Sequence, residues 1–183
     1  MYRFLIALFS FFYALASAGE VENINASHRD GTYFLELDAT VSANQELVYR
    51  IATDDENLEK LNDLLVESTL LSQPGDPVKI RRMVSQTCVL FFCFKASAVV
   101  QVKEINNRVI ITTVDATQSD FDYGRTRWEI TPNDEQTTRV HFQSELKPSF
   151  WIPPLIGPWV IKNKMRSEAK QTIEQLEKIA VNE

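Results

Sequence analysis

A chain of 183 residues, 44% of them hydrophobic, is long enough for one ordinary domain with a packed core, and a content of only 5 glycines and 7 prolines excludes a collagen-like or low-complexity chain. Its 19 Lys and Arg against 25 Asp and Glu leave a formal net charge of −6, which argues against nucleic acid as a partner because a phosphate backbone needs a basic face.

Met1-Tyr2-Arg3 is a short basic start, Phe4 to Ala14 is an almost unbroken apolar run, and Ala16-Ser17-Ala18 ends it with small residues at alternate positions. These are the three parts of an export signal, with cleavage expected after Ala18. The rival reading is a retained anchor, but the run is about fifteen residues, short of the roughly 20 that a helix needs to cross a bilayer core. Losing residues 1–18 removes Arg3 and no acid, so the mature chain is more negative still. The expected location is across the inner membrane, in the periplasm. Charges interrupt every later apolar stretch, so the mature chain is expected to be soluble.

After a polar lead-in over 19–31, Tyr33, Leu35, Leu37, Ala39 and Val41 recur at period two and predict a strand. Ser42 or Asn44 then caps a helix over about 44–52, where Leu47, Val48, Ile51 and Ala52 keep helical spacing. A second short helix is expected over 54–64, with Leu58, Leu61, Leu64 and Leu65 inward. Six strands follow, over 66–72, 78–88, 94–105, 108–117, 125–131 and 137–146, with turn chemistry at 74–77, at Asn106-Asn107 and at 132–135. Connections this short are hairpins, so the sheet is antiparallel. The stretch from Lys147 to Pro154 reads as rigid and extended. A helix over 155–181 closes the chain, with Leu155, Trp159, Met165, Ala169, Ile173, Leu176 and Ala180 on or near one stripe; at 1.5 Å per residue it is roughly 40 Å long.

The two cysteines, Cys88 and Cys93, bracket the apolar tip Val89-Leu90-Phe91-Phe92. Along a straight strand their alpha carbons would stand about 16 Å apart, whereas a disulfide needs about 4.4 to 6.8 Å. The bond therefore requires a turn between two strands at 88–93, where the strand count places one, and an exported setting favours oxidation. Four apolar residues at a hairpin tip are a lid on a cavity, a contact for a membrane or partner, or a loop buried against the last helix.

One strand, two short helices, six antiparallel strands and one long helix make an α+β order. Together with Ser119-Asp120-Phe121, Gly124-Arg125-Thr126-Arg127-Trp128 and Phe150-Trp151-Ile152-Pro153-Pro154, that order resembles exported bacterial members of the START-like, or SRPBCC, superfamily of polyketide cyclases and coenzyme Q-binding proteins. The resemblance covers residues 32–181. It implies the helix-grip fold, a curved antiparallel sheet of about seven strands wrapped on the C-terminal helix, with an elongated apolar cavity between them. The chain then divides into a signal peptide (1–18), a polar lead-in (19–31) and a START-like ligand-binding domain (32–181).

The strand faces can also be read for free volume. Ala96, Ala98, Val100 and Val102 share one face of their strand, and Val140, Phe142, Ser144 and Leu146 share one face of the last, with Trp128 and Ile130 between. Adjacent alanines leave space, which either a ligand or the side chains of Trp128, Trp159 or Phe142 can fill. Arg82 falls in register with Val78, Ile80 and Val84; turned inward, it would hold an acidic head group or ring oxygen, or pair with an internal acid, unless a bulge shifts the register. The expected cavity set is Arg82, Ala96, Ala98, Val100, Trp128, Phe142, Ser144 and Trp159. The expected rim or membrane contact is Leu90, Phe91, Phe92, Phe150, Trp151 and Ile152, with Lys147, Lys162, Lys164 and Arg166 meeting anionic head groups or simply solvent.

Catalytic chemistry is sparse. His28 lies in the lead-in and His141 alternates with Val140 and Phe142, so neither fits a triad or a metal cluster. The four-residue gap between the cysteines is not the redox motif, and no glycine loop cradles phosphate. No cofactor and no metal are expected. Three readings remain: a monomeric exported carrier of a lipid, quinone or polyketide-like molecule, with transient membrane contact; a cyclase or hydratase using Tyr33, Tyr123 or Asp120; and an interaction module using the aromatic rim. The first is the leading expectation.

Overall fold

In the computed structural model, residues 20–73, 75–89, 92–154 and 157–183 are described, those at 89 and 92 for their strand placement alone. The expected signal peptide and the rim residues Leu90 and Phe91 lie outside these, as does the side chain of Phe92.

The chain runs β1 (Glu20–Arg29), β2 (Thr32–Val41), α1 (Gln45–Ala52), a 3-10 turn (Leu58–Leu61), β3 (Leu65–Leu70), β4 (Lys79–Val89), β5 (Phe92–Ile105), β6 (Val109–Val114), a second 3-10 turn (Ala116–Gln118), β7 (Phe121–Pro132), β8 (Thr138–Pro148) and α2 (Gly157–Val181). The strands form one sheet in the order β1-β2-β8-β7-β6-β5-β4-β3, antiparallel at every pairing. Two tight hairpins use the residues their geometry demands. Asp30 and Gly31 take φ of 53° and 80°, and Asn106 and Asn107 take 52° each, the left-handed pairs that match the twist of flanking strands. Asn44 caps α1 by accepting from the Leu47 amide at 2.9 Å.

Two expectations change. The polar lead-in is an edge strand, β1, which makes eight strands rather than about seven. Its alternation is faint because its outer side is solvent-exposed and only Val21, Ile24 and Ala26 turn inward. The second helix, expected over 54–64, contracts to one 3-10 turn. Asp54 accepts from the Glu56 amide and the Asn57 side chain, and Asn62 accepts from the Leu64 amide, local bonds that compete with helix extension.

The sheet curls round α2, which packs against β1, β2 and α1. The sealed core lies at the α1 end, where Val41, Val48, Ile130, Val140 and Leu176 are fully buried beside Ile173 and Ala39. The opposite end gathers the β4–β5 hairpin, the start of β7, the end of β8 and the first turn of α2.

Candidate functional site

Register fixes what faces the helix. On β5 the concave side carries Ala96, Ala98, Val100, Val102 and Glu104; opposite them on β4 stand Ser85, Met83, Arg81 and, at Val102, Lys79. Trp128 on β7 faces Phe142 on β8, ring centroids 4.7 Å apart, and Thr126 faces Ser144. Burial along this surface is graded. Val100, Val102, Ile130 and Val140 are sealed, and Ser144 is nearly so, while Ala96, Ala98, Met83, Val114, Trp128, Phe142 and Leu146 remain half-buried. The concave side is thus a groove, closed by packing at the α1 end and still open toward the β4–β5 hairpin.

Arg82 is not in that groove. It lies on the convex side, and Arg81 turns inward, 6% exposed. The alternation of Ile80, Arg82 and Val84 points to the wrong face because the inner face of β4 is polar: Lys79, Arg81, Ser85 and Thr87 flank a single Met83. Burial of such residues is tolerable only with partners, and partners are present. An Nη of Arg81 touches the carboxylate of Asp55, in the loop after α1. Lys79 Nζ lies 2.8 Å from Asp55 and 2.7 Å from Glu104, and the Tyr49 hydroxyl donates to Glu104 at 3.1 Å. Burial, helped by the Glu104 charge, pushes the Tyr49 phenol up to about 12, and burial holds Arg81 below its ordinary value against the pull of Glu104.

One donor in this cluster is left over. Arg81 Nε is buried and, among the described residues, has no hydrogen-bond partner. An orphaned buried donor costs about 1–3 kcal/mol; Asp55 Oδ1, which lies against the same guanidinium, also lacks a hydrogen-bond partner, so a ligand acceptor at this N–H would compete with that carboxylate. Arg81 sits at the floor of the groove, one inward position from Met83 and Ala98. Thr87 Oγ1, on the inner face of β4, and Glu168 Oε2, on the inner side of α2, are likewise without partners among the described residues; the other Glu168 oxygen holds Lys164 at 2.7 Å. Sequence reasoning missed Lys79, Arg81, Asp55, Glu104, Tyr49 and Glu168. The available signal was opposite charge at period two on consecutive strands, Lys79 and Arg81 against Glu104.

Trp159 is also outside the cavity, at 66% exposure. It sits in the first turn of α2 at the open end, where Val160 and Ile161 are the half-buried neighbours; the inner stripe of the helix is Glu168, Thr172, Ile173, Leu176, Glu177 and Ala180. Phe150 and Trp151 are exposed, and Ile152 packs against Gly157 so closely that a Cβ there would fall 2.2 Å from its Cγ2. Cys88 and Cys93 are direct cross-strand partners joined by a disulfide, S–S 2.04 Å.

The candidate acids and bases are employed elsewhere. Asp120 accepts from the Ser97 amide at 2.7 Å, Tyr123 is exposed and donates to Glu145 at 3.3 Å, and His141 lies on the convex side with Nδ1 2.7 Å from Asp38. Tyr33 does face inward, 1% exposed, with its ring against His28 and its phenol raised by burial. Among the described residues no three His, Cys, Asp or Glu side chains come together as a metal site.

Solved structures share this architecture. A protein from Thermus thermophilus is 18% identical with a TM-score of 0.66, over 81% of this chain and 97% of its own. The Zhui aromatase/cyclase from Streptomyces sp. R1128 is 12% identical with a TM-score of 0.68, over 81% of this chain and 93% of its own. A START superfamily protein from Mycobacterium smegmatis is 17% identical with a TM-score of 0.65, over 81% of this chain and 97% of its own. At such identities the likeness establishes the helix-grip fold. No curated protein sequence matches the chain. The model of the family described as polyketide cyclase / dehydrase and lipid transport matches residues 35–180, nearly all of the sheet and helix laid out above, and the chain belongs to that family.

Proposed function

We propose that this protein is an exported carrier that holds an apolar small molecule with a hydrogen-bond acceptor, of lipid, quinone or polyketide-like type, between the sheet and α2. The observation that carries the reading is the meeting of a half-open groove, largely apolar on β5, β7 and β8 and polar on β4, with a buried Arg81 whose Nε makes no hydrogen bond among the described residues. Covering the apolar wall gains about 25 cal/mol per Å², and an acceptor at Nε supplies the missing bond. Membership of a family that includes lipid transport, and a fold shared with a START superfamily protein, support a hydrophobic ligand. Shielding is favoured over catalysis because, of the candidate acids and bases, Asp120 and Tyr123 are engaged away from the groove and only Tyr33 faces inward, its phenol raised by burial. The export signal read at 1–18 and a disulfide of the kind that oxidising compartments preserve support the exported setting.

The test uses tryptophan fluorescence. Of the three tryptophans, Trp151 and Trp159 are exposed and Trp128 lines the groove, so a Trp151→Phe/Trp159→Phe variant leaves one reporter in the site. Titration with a long-chain fatty acid or a naphthoquinone should change its emission saturably, and Ala98→Phe should abolish the change. Emission that drifts without saturation, or is indifferent to Ala98→Phe, contradicts the reading.

A further inference from the structure

Five large aromatic side chains are exposed at the open end: Phe94 at 55%, Tyr123 at 42%, Phe150 at 45%, Trp151 at 79% and Trp159 at 66%, of which Tyr123 is tied to Glu145. Backbone contacts tie their segments together. The Ser149 amide donates to the Asp120 carbonyl at 3.1 Å, the Asp120 amide donates to the Ser97 carbonyl at 2.8 Å, and the Gly157 amide donates to the Pro153 carbonyl at 2.8 Å. Phe150 meets Phe121 edge-on at 6.2 Å. The start of β5, the 149–154 segment and the first turn of α2 therefore form one surface. Exposure of this kind, concentrated at one end, marks a contact surface.

Charge says what would cover it. From Lys147 to Ser167 the sequence holds Lys147, Lys162, Lys164 and Arg166 and no acidic residue, in a chain whose net charge is −6. Lys164 is paired with Glu168, and Arg166 donates to Asn163 and to the Ala26 carbonyl; among the described residues neither Lys147 nor Lys162 is ion-paired. Exposed Lys95 follows Phe94 on β5 but points to the opposite face of the strand, and Asp122, on the same end, is exposed as well. Tryptophan and phenylalanine beside lysine suit a water–hydrocarbon boundary carrying negative charge. Among the described residues no helix is long and apolar enough to cross a membrane.

We propose that this surface, built on Phe94, Phe150, Trp151 and Trp159 with Lys147 and Lys162, docks on an anionic lipid bilayer. Docking would bring the open end of the groove to the lipid. The inference stands independently of whether the groove carries a ligand.

The test is sedimentation of the full mature protein with vesicles of phosphatidylcholine alone and of phosphatidylcholine mixed with phosphatidylglycerol. Binding is expected to the anionic vesicles, weakening in high salt, with a blue shift of tryptophan emission. Trp151→Ala/Trp159→Ala should abolish sedimentation with the anionic vesicles. Lys147→Gln/Lys162→Gln, which leaves every aromatic in place, should weaken binding by about fivefold per lysine. Equal binding to neutral vesicles, no binding to either, or self-association in place of vesicle binding that Trp151→Ala removes would each overturn the proposal. Because ligand uptake is read separately at Trp128, failure here leaves the carrier reading untouched.

Discussion

Arg81 on β4 and Asp55 in the loop after α1 are in contact, and through that contact a charged side chain is held buried on the concave face of the sheet. Asp55 balances the charge and positions the guanidinium, and in the proposed function Nε is the donor a ligand would use. The two residues should therefore respond differently to substitution.

Asp55→Ala strands a buried cation and should destabilise the fold by about 3 kcal/mol, the low end for a broken buried pair because the Glu104 carboxylate and solvent still reach the site. Arg81→Met removes the charge with its stem volume kept, and should alter stability little while weakening ligand binding tenfold or more. The double variant Asp55→Leu/Arg81→Met should recover most of the stability lost in Asp55→Ala. Urea unfolding of the three variants, beside a ligand titration, checks all of this; equal losses in both single variants would mean that Arg81 is structural only.

Gly124 faces Leu146 across the β7–β8 ladder, and a Cβ there would lie 2.4 Å from Val114 Cγ2 and 3.1 Å from Leu146 Cδ1. Gly124→Ala should cost about 1–3 kcal/mol by overpacking, and adding Val114→Ala should restore part of it. The comparison needs urea midpoints alone.

Tyr49 gives the fold an alkaline limit. Its phenol is held up to about 12, first by burial and then by Glu104. A group whose folded value is raised stabilises the fold fully below its unfolded value, near 10 for tyrosine, and loses that contribution as pH rises through the folded value. Stability should thus decline between about pH 10 and pH 12, with a shallower decline in Tyr49→Phe. Thermal melts across that range decide it; identical slopes would place the Tyr49 phenol in ordinary solvent.

The Cys88–Cys93 bridge closes a small hairpin loop, so reduction should lower stability by only about 2 kcal/mol on the chain-entropy account. Cys88→Ser/Cys93→Ser should fold and melt somewhat earlier. Failure of that variant to fold would show that the bridge does more than close a loop.

The apolar frame is legible in the sequence where one face is apolar and the other polar. β2, with Tyr33, Leu35, Leu37, Ala39 and Val41 inward, follows its alternation, as do Ala96 to Val102 and Val140 to Leu146. β4 misleads because its inner residues are charged, and their burial depends on Asp55 and Glu104, which are distant in sequence. β1 escapes notice because an edge strand with one wet face needs few apolar residues, and the 54–64 helix yields to side chains of Asp54 and Asn62 that bond their own backbone. Trp159 shows the limit of helical spacing, since a stripe says which residues align and not where the sheet ends beneath them.

Native mass spectrometry of the protein purified from its own host, followed by extraction of whatever is bound, tests the central claim most directly. The account predicts a co-purifying apolar molecule with an acceptor group, absent from Ala98→Phe and reduced in Arg81→Met. A ligand-free mass, together with no uptake of added fatty acid or quinone by the wild-type protein, would contradict it.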